Sequence, residues 1–216
     1  MISTVTEYVQ KDPQLALYAE HMNMLMIEND STLAEFKLSI SQKYKRHRPR
    51  LLILLGNPAL LMRDEYRELW GDIPIVLCSE ENYLGPQETY TKKQAIATAD
   101  RTPLTQLADP YNMVLLYSNL YLDENIQLIY HIVPEIKKFI FIGDARQINQ
   151  TNNLDIRNKL KKTHPNVEYQ FITPQDMTTN QLLDSLYFVD PKTTGVLFSS
   201  WFYKTTFAGN TSFCLL

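Results

Sequence analysis

Apolar positions along this chain switch repeatedly between helical and extended spacing. Val5, Tyr8 and Val9 fall on one helical face, which predicts a helix over residues 4–11, ended by Pro13. Leu15, Leu17 and Ala19 share one face of an extended segment and predict a strand over 15–21. Leu33, Phe36, Ile40 and Tyr44 recur every three or four residues, so a helix capped by Asp30 or Ser31 is expected to run to Tyr44. The unbroken apolar run Leu51-Leu52-Ile53-Leu54-Leu55 predicts a strand covered on both faces. Asn57-Pro58 opens another helix, because a first turn tolerates proline's missing amide, and it ends near Trp70-Gly71. Ile73-Pro74-Ile75-Val76-Leu77 is the next buried strand, expected to lie parallel and adjacent to 51–55.

Residues 80–111 interrupt this rhythm with Gly85-Pro86, Pro103, Asp109-Pro110 and many polar side chains. A connection of ~30 residues is far longer than the usual 2–6 and marks a lid, a short helix or a crossover. Strands at 113–117, 138–142, 167–172 and 195–199 then alternate with helices at 124–133, 153–162 and 178–188, the last capped by Thr178. Strands separated by helices imply right-handed crossovers and parallel sheets flanked by helices, so the fold class is α/β.

Composition narrows the chemistry. The formal net charge of −3 opposes a phosphate-binding surface, and nucleic acid is not an expected partner. The basic run from Lys43 to Arg48 reads as a solvated helix end. No apolar run approaches the ~18–20 residues of a membrane helix, and no signal peptide opens the chain. The six glycines compose neither a Gly-x-Gly-x-x-Gly nor a Gly-Lys-Ser/Thr loop, so no nucleotide cofactor is expected. The four histidines, at 21, 47, 131 and 164, have no metal-ligand spacing, and no metal is expected. Two cysteines, Cys78 and Cys214, are too few for a disulfide framework, and their pairing is open. Cys78 follows a strand, where α/β enzymes place nucleophiles. Glu80 and Glu81 beside it would suppress a thiolate, which favours a buried structural cysteine and no catalytic residue.

Strand ends remain. Open α/β sheets bind ligands outside the carboxyl ends of their strands. Polar clusters follow four of them: Gly56-Asn57, Ser79-Glu80-Glu81-Asn82, Gly143-Asp144-Ala145-Arg146 and Ser199-Ser200-Trp201. Amides, hydroxyls, one arginine and one aromatic suit a small polar ligand. Asn57, Ser79 and Glu80 are expected to face Asp144, Arg146, Ser199 and Trp201 across one cleft. Trp201 would stack on the ligand, and Arg146 would meet a carboxylate or Glu80 itself.

The stretch Pro49-Arg50-Leu51-Leu52-Ile53-Leu54-Leu55-Gly56-Asn57-Pro58-Ala59 is followed by Leu69-Trp70-Gly71-Asp72-Ile73-Pro74-Ile75-Val76-Leu77-Cys78-Ser79-Glu80-Glu81-Asn82-Tyr83. Together they resemble the periplasmic-binding-protein-like sensor domains of bacterial membrane histidine kinases, hybrid two-component sensors among them. Ala19-Glu20-His21-Met22, Val133-Pro134-Glu135-Ile136-Lys137-Lys138, Gly143-Asp144 and Leu197-Phe198-Ser199-Ser200-Trp201 extend the resemblance over roughly residues 3–205. It implies a type I binding-protein fold of two Rossmann-like lobes, residues 1–122 and 123–216, trimmed at both ends relative to the family. The family opens with a strand before the first helix and returns once more to the first lobe.

What the resemblance implies for function is an extracytoplasmic, periplasmic ligand-sensing domain of an inner-membrane protein, without activity of its own. A small polar ligand would close the lobes. Flanking membrane segments outside this chain would pass the closure to a cytoplasmic kinase module, and a homodimer is left open. A solute-binding protein of an ABC transporter shares the fold and cleft. A flavodoxin-like or hydrolase-type α/β enzyme is the alternative from another class, and it would need a nucleophile or phosphate loop.

Overall fold

The computed structural model describes residues 2–207 and 210–215. The elements begin with helix α1 (Ile2–Gln10), helix α2 (Asp30–Tyr44), strand β1 (Leu52–Leu55), helix α3 (Arg63–Trp70) and strand β2 (Ile75–Ser79). The connector follows as β3 (Tyr83–Leu84), α4 (Gln87–Thr91), β4 (Thr102–Pro103) and α5 (Leu104–Ala108), and leads into β5 (Met113–Tyr117). Next come α6 (Leu122–Ile132), β6 (Lys138–Ile142), α7 (Gln147–Thr163), β7 (Glu168–Ile172), α8 (Thr179–Tyr187) and β8 (Thr194–Phe198). A hairpin of β9 (Phe202–Phe207) and β10 (Asn210–Leu215) is the final element.

The fold is α/β, with two separate three-stranded parallel sheets, ordered β1-β2-β5 and β7-β6-β8. As the apolar runs predict, β1 and β2 are adjacent and parallel, with Leu54 opposite Leu77. Each sheet has its own core. Leu54, Ile75, Leu77 and Met113 of the first pack with Leu33 of α2 and Leu60 and Leu61 of a 3-10 turn. The second sheet is covered on both faces: Phe139 and Phe141 meet Ile126 of α6 and Ile156 of α7, while Ile140, Ile142 and Ile172 meet Leu182 of α8. Glycine at position 195 lets α6 approach β8, since a Cβ there would stand 2.4 Å from Ile129 Cγ2 and 2.5 Å from Ile136 Cδ1. No helix among the described residues is long and apolar enough to cross a membrane.

Local chemistry explains the helix starts. Asn29, one residue before the two expected caps, accepts from the Thr32 amide, and Thr32 closes a capping box. Thr178 caps α8 as expected, paired with Gln181 in a second box. Asn57-Pro58 starts a 3-10 turn that passes into α3, and Gly56 makes the turn before it at φ 85°, where a side chain would be strained.

Three expectations are corrected. Residues 15–21 form no strand. They join no sheet and make no ladder hydrogen bond to a described strand, and alternation without a pairing partner does not make a strand. The run 51–55 is not covered on both faces: Ile53 is 39% and Leu55 44% exposed, and beyond β2 on the same face Val114 is 60% exposed. α2, the 3-10 turn and the connector cover only the Leu54–Leu77 side. Finally, α7 starts at Gln147, six residues before the expected 153.

The long connector is not a free loop and contains short helices, α4 and α5. Tyr90, Ile96 and Leu104 carry it into the first core, each no more than 2% exposed.

Candidate functional site

The carboxyl ends of strands from both sheets wall one cavity of about 1210 Å³. Asn57 after β1, Ser79 closing β2, and the following Glu80 and Glu81 form one wall. Arg146, Gln147 and Ile148 after β6, with Phe202 after β8, form the other.

On the first wall a polar knot fixes the loop after β2. Asn57 is buried, and its Nδ2 donates to the carbonyls of Glu81, at 3.3 Å, and Tyr83. The Ser79 hydroxyl lies against Asn57 Oδ1 and the Glu81 carbonyl and accepts from the Glu81 amide at 3.0 Å. The side chains of Asn57 and Ser79 thus shape the wall, while Glu80 is exposed on it. Glu81 is only 7% exposed and accepts from the Tyr83 hydroxyl at 2.8 Å.

Burial pushes the Glu81 carboxyl above its ordinary value, and hydrogen bonds from Tyr83 and Gln147 with the charge of Arg101 offset only part of that. A raised carboxyl contributes its full stability below the unfolded value of about 4.3 and loses it as pH rises through the folded value. Glu81→Gln is therefore expected to be the more stable protein at neutral pH, with the advantage shrinking in acid. Urea midpoints across the acid-to-neutral range check this; an advantage independent of pH contradicts it.

On the second wall Asp144 organises Arg146. Asp144 is fully buried, and its carboxylate accepts from Arg146 Nε and Nη2 at 2.9–3.0 Å and from the Arg146 amide at 2.9 Å. Asn149 Nδ2 and the Ser200 hydroxyl add bonds of 2.9 and 2.8 Å. Burial alone would raise this carboxyl, but the bonds and charge of Arg146 outweigh it and hold it below the ordinary value. The guanidinium lies 4.5 Å from the centre of the Phe202 ring, and the Arg146 side chain keeps about a third of its surface open (35%). A guanidinium oriented by a carboxylate and an aromatic face, with donors left over, suits recognition of a polar or carboxylate group.

The cavity thus brings together Asn57, Ser79, Glu80 and Arg146 of the seven expected residues. Asp144 stands behind Arg146, and Arg146 pairs with Asp144, with no ion pair to Glu80. Ser199 is exposed, its amide donating to the Ile142 carbonyl, and its neighbour Ser200 is the residue that joins the polar knot. Trp201 is 1% exposed and packs in the second core, with Nε1 donating to Thr179 Oγ1 at 3.1 Å. Cys78 is half-buried and lies beside Leu55 and Leu116 on the open face of the first sheet, not in a closed core.

Sequence reasoning missed the polar stripe Gln147, Thr151 and Asp155, spaced by four residues along α7. Gln147 Nε2 donates to Thr151 Oγ1 at 2.7 Å, and that hydroxyl accepts from the Ile96 amide at 3.0 Å. Arg101 Nη2 reaches Asp155 at 2.7 Å and also binds the Ile96 carbonyl. The connector of the first sheet is thereby fastened to the helix that follows β6. The regular i, i+4 spacing was the available signal. Compared with family models, curated proteins and solved structures, the chain matches none of them.

Proposed function

We propose that this chain is a ligand-sensing domain of periplasmic-binding-protein type, taking a small polar ligand between two α/β lobes. The observation that carries the reading is the single cavity walled by strand ends of both sheets, where open α/β folds place ligands. Arg146, held by Asp144 and flanked by Phe202, is the anchoring group, and Glu80 opposite it meets a donor on the ligand. The α7–connector contact is the fulcrum about which the lobes close. Closure follows only if the ligand binds the closed arrangement more tightly than the open one. The wider assignment, an extracytoplasmic domain of a membrane histidine kinase, adds the output: closure passed through flanking membrane segments to a kinase module.

A thermal-shift screen against sugars, amino acids, purines and small carboxylic acids tests the reading. A ligand at a hundred times its Kd is expected to stabilise the protein by about 2.7 kcal/mol. Arg146→Ala is expected to weaken that ligand at least tenfold, while Lys45→Ala, outside the cavity, leaves it unchanged. A ligand indifferent to Arg146 would place binding elsewhere.

A further inference from the structure

The cavity does not end at the strand termini. Its lining also includes residues 51–55 along β1, the edge strand of the first sheet, and residues 16–25. Both stretches of this groove present unpaired main chain. The Leu52 amide donates to the Pro74 carbonyl at 3.0 Å and the Gly56 amide to the Cys78 carbonyl at 2.8 Å, so the even-numbered residues of β1 face β2. In a parallel ladder the alternate residues point the other way, and Ile53 and Leu55 therefore direct their amides and carbonyls into the groove. The main chain of residues 16–20, in the same lining, makes no hydrogen bond among the described residues.

Side chains give the groove an apolar floor, from Phe36, Ile40 and Tyr44 of α2 and from Tyr66 and Trp70 of α3, whose rings stack 5.7 Å apart. At the end where β1 begins, Arg46, His47 and Arg48 line it, and none of the three makes an ion pair among the described residues. An edge with unpaired amides, an apolar floor and a second unpaired backbone in the same cavity lining is a template for one more strand.

We propose that this groove is a strand-addition site for an extended peptide segment of another molecule. The peptide runs parallel to β1, apolar at alternate positions, with acidic residues at its N-terminal end. Direction follows from the sheet, whose strands are all parallel. The acidic end follows from charge, since the start of a parallel strand lies beside Arg46, His47 and Arg48. Five residues at about 3.3 Å each match the stretch of β1 and its flank that faces the groove. The site is a separate end of the cavity from the Arg146 wall, and it stands whether or not a small ligand binds there.

The probe is an acetylated octapeptide, Asp-Glu-Val-Thr-Val-Thr-Val-Thr, labelled for fluorescence anisotropy. Saturable binding is expected below about 1 mM, the weak limit of specific recognition. The same peptide N-methylated at alternate amides is expected to bind at least tenfold more weakly, on the unaltered protein. Ile53→Pro removes the amide facing the groove but none facing β2, so it is expected to keep the thermal midpoint and lose at least tenfold in affinity. Arg46→Glu with Arg48→Glu is expected to weaken the peptide severalfold, and Arg146→Ala to leave it unchanged. No binding at that concentration, or equal binding by the N-methylated peptide, overturns the proposal. A concentration-dependent dimer dissolved by Ile53→Pro, with no peptide bound, puts a second copy in the groove and also overturns it.

Discussion

Replacing Asp144 by Ala is expected to destabilise the protein by about 3–4 kcal/mol, the cost of leaving several donors facing a buried, charge-assisted site. The carboxylate is the hub that Arg146, Asn149 and Ser200 share, and it ties the end of β6 to the segment after β8. Arg146 can swing toward water, being about one-third exposed, so its loss is partly recovered. Asn149, fully buried, cannot. Its Oδ1 already lacks a partner, and the substitution removes one of the two acceptors of its Nδ2, leaving only Ser200 Oγ. Asp144→Asn keeps the shape but turns an amide toward the donors Arg146 and Ser200, and an intermediate loss is expected. The pH dependence has a definite sign. Asp144 has a lowered folded value, so its contribution is complete above the unfolded value of about 3.9 and fades as pH falls through the folded one. Urea midpoints at neutral pH and in acid check both statements. A gap between wild type and Asp144→Ala that persists undiminished in strong acid contradicts the account.

The pattern of legible and illegible elements has a physical basis. Strands β5, β6, β7 and β8 were readable within a residue or two, because apolar residues concentrate there between polar helix surfaces. Continuous apolarity misled at β1. It says that both faces avoid water, but not whether this chain supplies the cover, and Ile53 and Leu55 stand open. The start of α7 was hidden for the opposite reason. Gln147, Asn149 and Thr151 look like a loop, yet all three are buried, held by the connector and by Asp144. Polar residues with tertiary partners carry no hydrophobic period, so a period-based reading starts the helix where Leu154 and Ile156 restore it. Of the site, the strand-end rule located the cavity, while hydrogen bonding decided which neighbouring residue faces it.

Trp201 shows that last point most sharply. Trp201→Ala is expected to cost about 3–5 kcal/mol, the range for deleting a large buried aromatic whose site cannot fully collapse. The indole fills the space between Ile140, Ile142 and Ile172 of the sheet and Leu182 of α8. Its Nε1 hydrogen bond to Thr179 reaches the first turn of α8, so the same side chain sets how that helix lies on the sheet. Trp201→Phe keeps part of the volume but leaves Thr179 Oγ1 without its donor, and about half the loss is expected. An aromatic just past a strand end fits either a stacking platform for a ligand or a plug for the core, and spacing alone does not separate them. Burial does: at 1% exposed, the ring offers no face to the cavity. Binding of any ligand anchored on Arg146 is thus expected to survive Trp201→Phe within a factor of two to three, once measured below the variant's unfolding transition. Chemical denaturation and titration of the same preparation separate the two effects, and a variant of near-normal stability that has lost the ligand would move the indole from the core to the site.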